Sequence, residues 1–121
     1  MINELAKKIH QNAIDKGFFD EEKNIGEMLM LIVTEVAEAC EADRKNDYCK
    51  TNIQAVNGWV SDADFQPHFR ERVKNTFEDE LADIMIRVMD LAAHKGIDLE
   101  AHIKAKMRYN ASREKMHGKK Y

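Results

Sequence analysis

Two long stretches of helical periodicity constrain this chain more than any other feature. Along Ile25–Arg44, IGEMLMLIVTEVAEACEADR, the residues Ile25, Met28, Leu29, Ile32, Val33, Val36 and Cys40 recur every three or four places. Phe77–Ala93, FEDELADIMIRVMDLAA, repeats the pattern with Phe77, Leu81, Ile84, Met85, Val88, Leu91 and Ala92. That spacing is the period of an amphipathic α-helix. Each stretch carries an acidic pair one turn apart, Glu35/Glu38 in the first and Glu80/Asp83 in the second. At about 100° per residue, Glu35 is expected roughly 80–90° from the centre of its stripe, with Glu38 further round. Glu80 and Asp83 fall at roughly 80° and 140° from theirs, on the same side.

If the stripes pack antiparallel, both pairs line one groove, and four carboxylates in one groove repel unless a cation joins them. Mg²⁺ suits such a place, because it takes carboxylate oxygens and keeps waters for a phosphate. Spacing alone decides little. With 22 acidic residues among 121, roughly four acidic i,i+3 pairs arise by chance on a helix-rich chain. The chain has three, the third being Glu38/Glu41. Placement beside long apolar stripes is what singles out the other two.

The rest of the chain is read around these helices. Ile2–Ile14 forms a first amphipathic helix, closed by Lys16-Gly17. Phe18 and Phe19 seal the end of a core or stack on a planar ligand. Tyr48–Asp64 reads as a loop with one short helical turn, with Val56, Trp59 and Val60 as a lid or plug. Gln66-Pro67 reopens helix with Pro at a first helical position, and Phe69 and Val73 point inward. Lys95-Gly96 closes the second long helix, Asp98 caps the next, and Leu99, Ile103 and Met107 form a narrow stripe. The expectation is an all-α fold in one domain over residues 1–121, a four-to-five-helix bundle thin enough to be completed by oligomerisation.

No run approaches the roughly twenty apolar residues of a membrane span, and MINELAKKIHQN lacks the features of a signal peptide. A cytoplasmic protein without membrane partners is expected. Cys40 and Cys49 have no metal-ligand spacing, and Cys40, on the stripe, is expected to be buried.

The net charge of −3 conceals an asymmetry: Ala101–Tyr121 holds seven Lys or Arg and one Glu, whereas the preceding hundred residues hold twelve basic and twenty-one acidic. An acidic body with a basic end fits a metal-chelated polyphosphate, a nucleic acid, or mere solubility. Within that end Lys106, Asn110 and Arg113 follow i, i+4, i+7 and share a face if the helix continues. Arg and Lys suit phosphate oxygens, and an Asn amide can read a sugar hydroxyl or base edge. Gly-rich phosphate loops and nucleophile elbows are absent. The third residue after Glu35, Glu38 and Glu80 is always acidic and never His, which argues against a di-iron bundle.

Glu35-Val-Ala-Glu38 and Glu80-Leu-Ala-Asp83 resemble the E-x-x-E … E-x-x-D signature of the MazG-like all-α nucleoside triphosphate pyrophosphohydrolases, a group that includes dimeric dUTPases and dCTP pyrophosphatases. Lys23–Glu27 is similar to the approach to the first pair in that family. Lys106-x-x-x-Asn110-x-x-Arg113 followed by His117-Gly118-Lys119 is similar to its closing run. Together the matching segments span about 23–44 and 77–121. One departure is Thr34, where many members carry an extra Glu.

The resemblance implies hydrolysis of a nucleoside triphosphate to a monophosphate and pyrophosphate. It implies Mg²⁺, or Mn²⁺ in its place, held by Glu35, Glu38, Glu80 and Asp83, with Glu38 as general base. Lys106, Arg113 and Lys119 would bind the phosphates and Asn110 the sugar or base. A homodimer or homotetramer is implied, and no nucleic-acid partner is expected. The reading from another class is a catalytically silent helical module that self-associates or binds a partner.

Overall fold

The computed structural model describes residues 1–59 and 61–120, with Trp59 and His117 described through their backbone alone. Among these residues there are six α-helices: α1 Ile2–Asp15, α2 Ile25–Arg44, α3 Ile53–Trp59, α4 Asp62–Arg72, α5 Phe77–His94 and α6 Leu99–Ala111. A short 3₁₀ turn follows at Lys115–Gly118. No helix among them is long and apolar enough to cross a membrane. The all-α expectation holds, with more helices than four or five.

The boundaries follow from local chemistry. Asn24 caps α2 by accepting the Glu27 N–H at 3.1 Å, and Asp98 caps α6 by accepting the Ala101 N–H at 3.0 Å. Gly17 and Gly96 sit at φ +86° and +66°, which a residue with a Cβ adopts at a cost. That turn lets the Phe18 N–H reach back to the Ala13 carbonyl and the Ile97 N–H to the Ala92 carbonyl, ending α1 and α5.

The region 48–73 departs from expectation. α3 forms where a loop with one turn is expected, with Val56 buried. α4 starts at Asp62, after Ser61, so Pro67 lies inside the helix and not at its first position. Val73 is buried and Phe69 half-buried, as read. The lid or plug built on Trp59 and Val60 lies outside the described residues, as does Tyr121.

The chain forms two compact units. One gathers residues 1–22 and 88–121. There Asn3 donates to Asp98 at 2.7 Å and the Ile2 N–H donates to Glu100 at 2.6 Å, tying α1 to the start of α6. His10 Nδ1 pairs with Asp90 Oδ1 at 2.7 Å, and Phe19 packs edge-on to the His10 ring and beside His94. Phe19 therefore serves as packing, while Phe18 is exposed. A groove of about 590 Å³ runs along α1 in this unit. Of its polar lining, Asn3 pairs with Asp98, His10 with Asp90 and Gln11 with Asp15.

The other unit is Lys23–Arg87. Here the seam of α2 differs from the apolar stripe. Met28, Glu35, Ala39 and Ala42 are buried, with Ile25 and Ile32 half-buried. Leu29, Val33, Val36 and Cys40 are exposed, so the expected burial of Cys40 is wrong. On α5, Leu81 and Met85 are likewise exposed, while Glu80 is buried. One member of each acidic pair, Glu35 and Glu80, therefore lies on the inward side of its helix, while Asp83 is half-buried and Glu38 exposed. A seam spaced 28, 35, 39 and 42 takes small alanines, which let another element approach closely.

Candidate metal centre

Four features set the second acidic pair in place. Thr76 is buried; its hydroxyl donates to the Val73 carbonyl at 2.7 Å and accepts the Asp79 N–H at 3.4 Å. Asp79 returns a carboxylate oxygen to the Asn75 N–H at 2.9 Å. The Phe77 N–H donates to Asp47 O at 2.8 Å, and the Phe77 ring meets Tyr48 at 5.0 Å. Glu78 accepts the Cys49 N–H at 2.7 Å. The first turn of α5 is thus pinned to the segment after α2, and the helix dipole there favours its acidic residues.

The result is a convergence of carboxylates from both helices. Glu35, Glu38 and Glu80 each offer an oxygen, all within 4.8 Å of one another. Asp79, Glu80 and Asp83 form a second such set, sharing Glu80. Glu35 is 8% exposed and Glu80 is 4% exposed. In each, Oε2 is buried without a hydrogen-bond partner. An orphaned buried carboxylate oxygen is costly, and two on residues of one cluster need an explanation.

Electrostatics shows the same strain. Burial first, then a hydrogen bond and charge from Glu38, then the charges of Asp83 and Glu35, push the Glu80 carboxyl up to about 7. A proton on Glu80 would let it donate to Glu38. Asp83 is also raised, by burial and then the charge of Asp79, while Arg87 acts in the opposite direction. Arg87 Nε donates to Glu35 Oε1 at 2.8 Å.

The donor set fits a hard divalent cation. It consists of carboxylate oxygens, with no His or Cys in either set. Adjacent ligands around Mg²⁺ at about 2.1 Å stand roughly 3 Å apart, so these oxygens need close by at most about 2 Å, with waters filling the remaining positions.

The expected ligands Glu35, Glu38 and Glu80 are therefore brought together, with Asp83 in the adjoining set. Glu35, expected roughly 80–90° from the centre of the apolar stripe, is itself buried on the seam, because the seam is not that stripe. Asp79 and Arg87 were not anticipated. Asp79 directly precedes Glu80 and reads as one more charge on a helix start; Arg87, four residues after Asp83, reads as half of a solvated i,i+4 pair. Thr34, in place of the extra Glu, donates its hydroxyl to the Leu31 carbonyl at 2.6 Å and is exposed.

In the unit of residues 1–22 and 88–121, α6 ends at Ala111, so Arg113 lies beyond the helix. Lys106 Nζ and the Arg113 guanidinium carbon nonetheless sit 5.1 and 5.3 Å from the centroid of the same Tyr109 ring. Tyr109 gathers the two cations that a continuing helix was expected to align. Asn110 is half-buried and Lys119 exposed. No family model, curated protein or solved structure matches the chain.

Proposed function

We propose that this protein is a Mg²⁺-dependent nucleoside triphosphate pyrophosphohydrolase of the MazG-like kind. The observation that carries the proposal is the pair of buried, unpartnered oxygens on Glu35 and Glu80 within a carboxylate triad. Such a triad is unfavourable alone and suited to a divalent ion. The order of the acidic pairs and the basic closing run supply the nucleotide half of the reading.

In this proposal Glu35, Glu38, Glu80 and Asp83 hold the cation. When bound, the ion supplies Lewis acidity and offsets phosphate charge. Glu38 takes a proton from water in this reading, which its exposure, unlike that of Glu35 and Glu80, supports. That water attacks the α-phosphorus, the α–β anhydride bond breaks, and pyrophosphate leaves with the bonding pair. Lys106, Arg113 and Lys119 stabilise the charge on phosphate oxygens, and Asn110 binds the sugar or base.

Self-association belongs to the same proposal. Leu29, Met30, Val33 and Val36 on α2 and Leu81, Met85 and Ile86 on α5 are exposed apolar residues, which a second copy would cover.

The test is a screen of ribo- and deoxyribonucleoside triphosphates with Mg²⁺ and detection of pyrophosphate. At least one substrate is expected to give stoichiometric monophosphate and pyrophosphate. Release of orthophosphate alone, or no turnover across the panel, contradicts the proposal.

A further inference from the structure

We propose that Arg87 is a positioning residue for the cation site: its grip on one oxygen of Glu35 keeps the other presented to the ion. This rests on the cation reading above and asks what holds its most buried α2 ligand. Arg87 reaches from α5 to Glu35 on α2, donating through Nε at 2.8 Å. The Glu35 side chain is 10% exposed and that of Arg87 39%. The contact engages Oε1 alone, leaving Oε2 buried and unpartnered. A carboxylate held at one oxygen by a rigid planar donor cannot turn both oxygens away from the other carboxylates.

Arg87 could instead act only as a counter-charge. The two roles predict opposite outcomes. A counter-charge competes with a divalent ion, so removing it tightens binding. A positioning group orients a ligand, and loss of such an outer partner typically weakens metal affinity by about 10–100-fold.

The experiment titrates the full chain with Mn²⁺, read by electron paramagnetic resonance, and with Tb³⁺. Luminescence lifetimes in light and heavy water count the waters on Tb³⁺. Arg87→Met is expected to bind Mn²⁺ at least about tenfold more weakly. Its Tb³⁺ should carry about one more water, since oxygen ligands lost from the protein are replaced by solvent. Arg87→Lys keeps the charge but loses the Nε donor, and should fall between. Far-UV circular dichroism checks folding; if Arg87→Met does not fold, Arg87→Lys decides by the same two readouts. Unchanged or tighter Mn²⁺ binding overturns the inference, as does weaker binding without the added water. If the unaltered chain binds no Mn²⁺, the cation reading fails first and this inference with it.

Discussion

Replacing Glu80 with Gln should stabilise the metal-free protein at neutral pH, against the usual expectation for a buried substitution. Glu80 is 4% exposed, and its carboxyl is pushed from an ordinary 4.5 to about 7 by burial and by Glu38, Asp83 and Glu35. A folded-state value above the unfolded one means the folded chain holds the proton more tightly. Stability from this group is therefore full below about 4.5 and lost as pH rises through about 7. At about 1.4 kcal/mol per unit the loss comes to roughly 3–4 kcal/mol, and solvent screening at the exposed Glu38 reduces it to about 2. Gln keeps the size, removes the charge and offers Glu38 a donor. For a chain of this size about 2 kcal/mol corresponds to roughly 5–10 °C in melting temperature.

The assay is thermal melting by circular dichroism in EDTA at pH 4, 5.5 and 8. The unaltered protein should lose stability between pH 4.5 and 7 relative to Glu80→Gln, and the two should converge at pH 4. Mg²⁺ should raise the melting point of the unaltered protein at pH 8 and leave the variant nearly unmoved. If Glu80→Gln melts at or below the unaltered protein at pH 8, the argument from carboxylate repulsion is refuted.

Other expectations follow from the same site and surfaces. Glu35→Gln and Asp83→Asn should each abolish Mg²⁺-dependent turnover while leaving the helical spectrum intact; near-normal activity in either rejects the four-carboxylate site. The exposed apolar residues of α2 and α5 predict at least a dimer, and a concentration-independent monomer mass by light scattering at micromolar protein would reject it. Truncation after Asn110 removes Arg113, Lys115, Lys119 and the exposed Met116 but little core, so folding should survive. Hydrolysis should then fall, with each lost phosphate contact worth roughly 1.5–3 kcal/mol. Arg113→Ala should reproduce much of that loss and Lys115→Ala little of it; equal rates for truncated and full chains would make the tail only a solubilising end.

The limits of α1, α2 and α5 and the start of α6 were the most legible part of the fold, because they depend on neighbours in sequence. Asp98, Gly17 and Gly96 act on backbone groups within a few residues, and α2 begins and ends where its pattern does. Which face turns inward was less legible. Apolar residues surround much of α2, so large side chains such as Leu29 and Val36 outweigh Ala39 and Ala42 in any stripe, although the alanines mark the seam. That is why Glu35 was expected beside the core and lies in it. α3 was hidden by the turn signal Asn57-Gly58, and the true start of α4, marked by Ser61 and Asp64, by the stronger signal of Pro67. The types and spacing of Glu35, Glu38, Glu80 and Asp83 were visible; Arg87 was not, because its partner is 52 residues away.

The most direct test of the central claim is hydrolysis in oxygen-18 water with the best triphosphate and Mg²⁺, followed by mass spectrometry of both products. If the carboxylate cluster directs water at the α-phosphorus, the label appears in the nucleoside monophosphate and not in pyrophosphate. Label in pyrophosphate or orthophosphate, or no Mg²⁺-dependent cleavage at all, contradicts the account.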